Sequence, residues 1–204
     1  FAPVADVWSN AENQVIGDRS FGTDSEKVAE MVTEAVRGFH DSHIRTAVKH
    51  FPGHGNTAED SHSGFAYNYG TKEELENGEW KPFAAGIKEQ SEFVMVGHIC
   101  CPNIISKEIP ASLSKKLVTD VLRNEMEFNG IIITDAMDMG AVTAHYSCGE
   151  AAVQAVEAGT DMILMPENFQ EAYEAVLQAV TDGRISEKQL NESVSRILDC
   201  KKSR

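Results

Sequence analysis

The sequence predicts a parallel α/β fold, and three observations predict it. Short, continuously apolar runs recur along the chain, longer helical patterns separate them, and ionisable residues fall at the carboxyl ends of the runs. The runs are Phe1–Val7, Thr46–Phe51, Phe93–Ile99, Gly130–Thr134 and Met162–Met165. Strands buried on both faces of a parallel sheet read this way, because neither face alternates with water.

The intervening segments carry helix start signals. Thr23-Asp-Ser-Glu26 has capping-box spacing and predicts a helix to about His40. Thr71-Lys-Glu-Glu74 opens a second region, and Ser114 precedes a helix to about Met126. A short helix over Glu150–Ala158 ends at Gly159, and another runs from Glu167 to about Thr181. Ser186-Glu-Lys-Gln189 caps the last. With no repeat, linker or low-complexity stretch, residues 1–204 are expected to form a single domain. Five strands suit either an open sheet or part of an eight-stranded barrel, and the pattern alone does not choose.

Bulk properties narrow the function. The chain is 42% hydrophobic and 25% charged, as globular domains are. A net charge of −14, with Lys and Arg scattered singly, excludes nucleic acid as a partner. No apolar run approaches the roughly 20 residues that span a bilayer. The start at Phe1, already strand-like, leads us to expect that something upstream has been removed, so the compartment is not readable. Cys100, Cys101, Cys148 and Cys200 lack metal or redox spacing and read as free thiols.

Asp6, Lys49-His50, His98 and Asp135 lie at or just after run ends, the edge where parallel α/β folds place their sites. Pro52, Gly53 and Gly55 make the stretch after Lys49-His50 a loop, and it carries His54, Asp60 and His62. Two residues apart in a turn, Asp60 can orient the His62 imidazole and raise its basicity. The plainer reading is a solvent loop with incidental histidines, and composition does not separate the two. A metal site lacks a recognised spacing, and a phosphate cradle lacks the Lys-Ser/Thr that should follow its glycines. Asp135 closes an apolar strand and needs a donor or cation, for which Lys49 and Arg19 are candidates. Asp138 reads as a cap of the next turn.

Lys49-His-Phe-Pro-Gly-His-Gly followed by Asp60-Ser-His62 resembles the signature of β-N-acetylglucosaminidases of glycoside hydrolase family 3. Phe-Ala-Pro-Val-Ala-Asp6, Ile16-Gly-Asp-Arg19-Ser-Phe-Gly22 and Ile133-Thr-Asp135-Ala-Met-Asp-Met agree in order and spacing. The resemblance implies a TIM-type (β/α)₈ barrel whose first strands, with a glycine-rich sugar-binding segment, precede this chain. It implies Asp135 as the nucleophile of a retaining mechanism, His62 as acid/base oriented by Asp60, and Arg19, Lys49 and His50 as sugar-binding residues. The implied substrate is terminal β-linked N-acetylglucosamine on muropeptides or chitin oligomers, in the cytoplasm or cell envelope of a bacterium. No metal or organic cofactor is implied. Two alternatives stand beside it: phosphorolysis in place of hydrolysis, and an inactive barrel fragment that only binds cell-wall sugars.

Overall fold

The computed structural model describes residues 1–58 and 64–202. The chain opens on an extended segment in which Val4 bridges Lys49 in parallel. Phe1–Val7 is therefore a docked segment, not the full strand its apolar pattern predicts. Pro3 has no N–H to give a ladder. Ala2 and Pro3 carbonyls accept from Ala47 and Lys49 at 2.7 and 3.3 Å, and the Ala5 N–H donates to Lys49 O at 2.6 Å.

Helix α1 (Ser25–Asp41) comes next, and its cap is Asp24 where the capping-box spacing points to Thr23. The Asp24 carboxylate accepts from the Glu26 and Lys27 N–H groups at 3.0 and 3.1 Å. A carboxylate also meets the positive end of the helix dipole, which favours it over a hydroxyl. Val28, Val32 and Val36, spaced by four, form the stripe that α1 buries.

Strand β1 (Ala47–Phe51) follows, then a two-residue strand β2 (Ala66–Tyr67). Helix α2 (Lys72–Asn77) starts with the reciprocal Thr71–Glu74 capping box its spacing predicts. Helix α3 (Trp80–Lys88) packs on α1. Pro82 makes α3 hard to foresee, but it is the third helical residue, where an N–H has no intrahelical partner to lose.

The apolar run Phe93–Ile99 divides into β3 (Phe93–Val96) and β4 (Ile99–Cys100), which pairs with β2 in a separate two-stranded sheet. The helix predicted after Ser114 is present at Lys116–Glu125, in π-helical form. Strand β5 (Ile131–Ala136) then leads through the short α4 (Gly140–Thr143) to α5 (Cys148–Ala158). Ser147 caps α5, and Gly159 ends it at φ 106°. Strand β6 (Met162–Leu164), α6 (Phe169–Thr181, capped by Asn168) and α7 (Glu187–Lys202) complete the order. The Ser186 hydroxyl accepts from the Gln189 N–H at 3.2 Å, as a helix cap should.

The main sheet is parallel throughout, in the order β1-β3-β5-β6. A doubly wound sheet reverses its strand order at a switch point. Here the order never reverses, so right-handed crossovers carry the helices to one face. That is the arrangement of a TIM-barrel-like α/β fold. Val48, Phe51, Val94, Val96 and Ile132 meet Val28, Val32, Phe83 and Leu117 in the main core.

Candidate active site

The carboxyl edge of the sheet is organised around Asp6, which is fully buried. Its Oδ2 accepts from the His50 N–H at 3.1 Å and bonds the His50 Nδ1 at 2.7 Å, while Oδ1 accepts from the His54 N–H at 2.7 Å. Burial would raise this carboxyl, but attraction to His50 and the donated hydrogen bonds outweigh it and hold Asp6 below the usual range. The far nitrogen of His50 lies 3.5 Å from Arg19 Nη2. Guanidinium only donates, so Nε2 accepts and the Nδ1–H faces Asp6.

The loop after β1 is held from a second side. Asn13 donates to the His54 and Thr57 carbonyls at 2.7 and 2.9 Å, and its own oxygen accepts from the Ile16 N–H. That bond seats the turn Gly17–Arg19, from which Arg19 reaches His50. The His54 Nδ1 and Thr57 Oγ1 are 2.7 Å apart. Burial pushes the His54 imidazole down against the opposing pull of Asp6. Gly55 is required here: a Cβ would stand 1.9 Å from the Val7 carbonyl oxygen.

Asp135 is the fifth residue of β5, half-buried, and its Oδ1 accepts from the Ala136 N–H at 2.9 Å. Lys49 projects from the third position of β1. Burial first, and then the Arg19 charge, push the Lys49 ammonium down, while Asp135 and Asp6 pull the other way. These four charges therefore share one mouth. His98, fully buried, approaches from the end of β3, with Nε2 2.8 Å from the Ala136 carbonyl and Nδ1 2.7 Å from Ser112 Oγ. Among the described residues, no group of three or more His, Cys, Asp or Glu is placed to hold a metal ion.

The structure thus brings together Arg19, Lys49, His50 and Asp135, which sequence reasoning singled out. Asp60 and His62 lie outside the described residues. Asp138 is not a cap: α4 begins after Met139 with no side-chain cap. None of the four cysteines forms a disulfide, and burial pushes the Cys100 and Cys101 thiols up to about 12. Asn13 and Ser112 were missed because His54 and His98, which they hold, are distant in sequence, and Thr57, three residues from His54, because no spacing rule marks it.

A sequential parallel sheet with two carboxylates, two cations and three histidines at its carboxyl edge places the chain in the class of barrel-like α/β enzyme domains. Within that class it belongs to glycosyl hydrolase family 3: residues 1–200 match the family described as "Glycosyl hydrolase family 3 N terminal domain". A beta-hexosaminidase of Stenotrophomonas maltophilia (strain K279a) is 37% identical over 180 residues, covering 86% of this chain and 52% of that protein. The structure of a family 3 beta-N-acetylglucosaminidase from Paenibacillus sp. str. FPU-7 superposes with a TM-score of 0.96 at 43% identity, over 99% of this chain and 39% of that one. A beta-glucoside phosphorylase, BglX, superposes with a TM-score of 0.92 at 30% identity, over 97% and 37%. The chain therefore spans about two fifths to half the length of these relatives.

Proposed function

We propose that the protein is a retaining β-N-acetylglucosaminidase that removes terminal β-linked N-acetylglucosamine from cell-wall muropeptides or chitin oligomers. The observation that carries this reading is the Asp135 carboxylate, pinned through one oxygen by the Ala136 N–H and faced by Lys49, beside Arg19 and His50. Asp135 attacks the anomeric carbon as the leaving oxygen takes a proton from His62, with Asp60 in the role of its orienting carboxylate. Water, deprotonated by the same imidazole, then displaces Asp135 and releases the sugar. Lys49 and Arg19 donate to the sugar hydroxyls and the N-acetyl carbonyl, and the His50 Nε2 accepts from a sugar hydroxyl. The names of the Stenotrophomonas and Paenibacillus relatives support the substrate class. No organic cofactor or metal takes part in this scheme.

We also propose that residues 1–204 act as one domain and that further strands continue the sheet from the β6 edge to close the barrel. Half-buried Met162, Ile163 and Leu164 on β6, and exposed Phe169, Tyr173 and Leu177 on α6, support this closure.

The test is p-nitrophenol release by the full-length enzyme from the aryl β-N-acetylglucosaminide and the aryl β-glucoside. The expected result is preference for the N-acetyl sugar and a loss of at least about a thousandfold in Asp135→Asn. No turnover of either sugar by the folded enzyme would sink the reading. A second reading, phosphorolysis, is favoured by the likeness to BglX. Release of sugar 1-phosphate in phosphate buffer would select it over hydrolysis.

A further inference from the structure

The peptide after the reactive carboxylate is clamped from both flanks. Pairing of β3 with β5 ends at Val96 and Thr134, so no strand neighbour remains on that side for Ala136. The His98 ring occupies the gap, with Nε2 2.8 Å from the Ala136 carbonyl. On the other flank the Met137 N–H donates to Leu164 O at 2.9 Å, and Ala136 pairs with Leu164 in the β5–β6 ladder. The peptide linking Ala136 to Met137 is thus bonded to β6 through its N–H and to an imidazole through its carbonyl.

The partners also assign the tautomer. A carbonyl only accepts, so Nε2 carries the proton, and Nδ1 takes the hydroxyl proton of Ser112. Ser112 is itself fixed, fully buried on the turn Ala111–Leu113 with its N–H donating to Gly97 O at 3.2 Å. Burial pushes this imidazole below its ordinary range, which favours the neutral form whose Nε2–H these partners orient.

We infer that His98, oriented by Ser112, is a positioning residue for Asp135. Its imidazole replaces the absent β3 ladder bond and locks the backbone from which the nucleophilic carboxylate projects. The inference rests on the reading of Asp135 as nucleophile. It adds a residue that touches no substrate but sets where the attacking oxygen stands. A buried histidine with purely structural duties would serve stability alone. The positioning role instead predicts a loss confined to turnover, because attack tolerates displacement of an ångström far less than binding does.

The experiment measures kcat and KM of the full-length enzyme on the aryl N-acetylglucosaminide for His98→Leu, His98→Gln and Ser112→Ala. Gln can return a donor near the place of Nε2. In His98→Leu, kcat is expected to fall about 10- to 100-fold with KM within about twofold. His98→Gln should recover to within about threefold of the parent, and Ser112→Ala should lose about two- to fivefold. A folded Leu variant with parental kcat, a loss lying only in KM, or Gln as poor as Leu would overturn the inference. If the Leu variant does not fold, Ser112→Ala decides: parental kcat in that folded variant counts against the role. Amide exchange at Met137 reads the clamp without turnover and should quicken in Ser112→Ala. If the parent hydrolyses neither sugar, the enzymatic reading fails, while unchanged exchange would separately refute the clamp.

Discussion

Asp6 joins the end of β1 to the loop that follows it through the two oxygens of one carboxylate, so its loss should be felt at both His50 and His54. Asp6→Asn turns one acceptor into a donor facing an N–H, and should cost about 1–3 kcal/mol in a denaturant melt. The folded carboxyl lies below its ordinary 3.8, so its contribution is present above that pH and is lost as pH falls through the lower folded value. The stability gap between parent and Asp6→Asn should hold steady at neutral pH and shrink only below about 3.8. His54 and His98 act in a different window. Both are pushed below 6.5 by burial, so below that pH the unfolded chain takes up protons that the native state refuses. Stability should therefore fall as pH drops from 6.5, by up to about 1.4 kcal/mol per pH unit for each group. Melting curves from pH 8 to 5 check this, and a flat profile would contradict it. Lys49, His50 and Asp135 were legible in the sequence because a charge at the end of an apolar run stands out. The supports were not: Asn13 reaches His54, and Ser112 reaches Asp135 only by way of His98 and Ala136.

Elements with local instructions were the readable ones. The Thr71–Glu74 box and the Ser186 cap act within one turn, so their spacing suffices. Strands β2 and β4, two residues each, carry no period to detect and exist because they find each other. The Phe1–Val7 segment misled through its apolar content, since composition does not register the N–H that Pro3 lacks. The loop after β1 yields a prediction of its own. Gly55→Ala would drive a Cβ into the Val7 carbonyl, separating the opening segment from the loop. Overpacking of this kind costs about 1–3 kcal/mol or more. A thermal melt should show the loss, together with weakened turnover, because Asp6 and His54 lie on the two chains forced apart.

Across the whole molecule the two ends of the sheet differ in kind. At the amino end of β6, Asp161 bonds Arg123 at 2.7 Å, Arg196 at 2.6 Å, the Ser193 hydroxyl at 2.6 Å and the Ile132 N–H at 2.8 Å. One carboxylate thereby ties the π-helix, α7 and β5 together. Asp161→Ala strands the largely buried Arg123 and should destabilise by about 3–5 kcal/mol. Turnover per folded molecule should stay unchanged at low temperature, and a fall in kcat with the fold intact would refute that division. Strand order could not be read from the runs, since adjacency is decided by crossovers and not by composition. The Asp161 hub has a consequence for how such a protein changes over generations. It stands at the opposite end of β5 and β6 from the reactive edge. Lineages moving to hotter or colder habitats can revise the hub, and lineages meeting a new sugar can revise the loops opposite, with neither revision undoing the other.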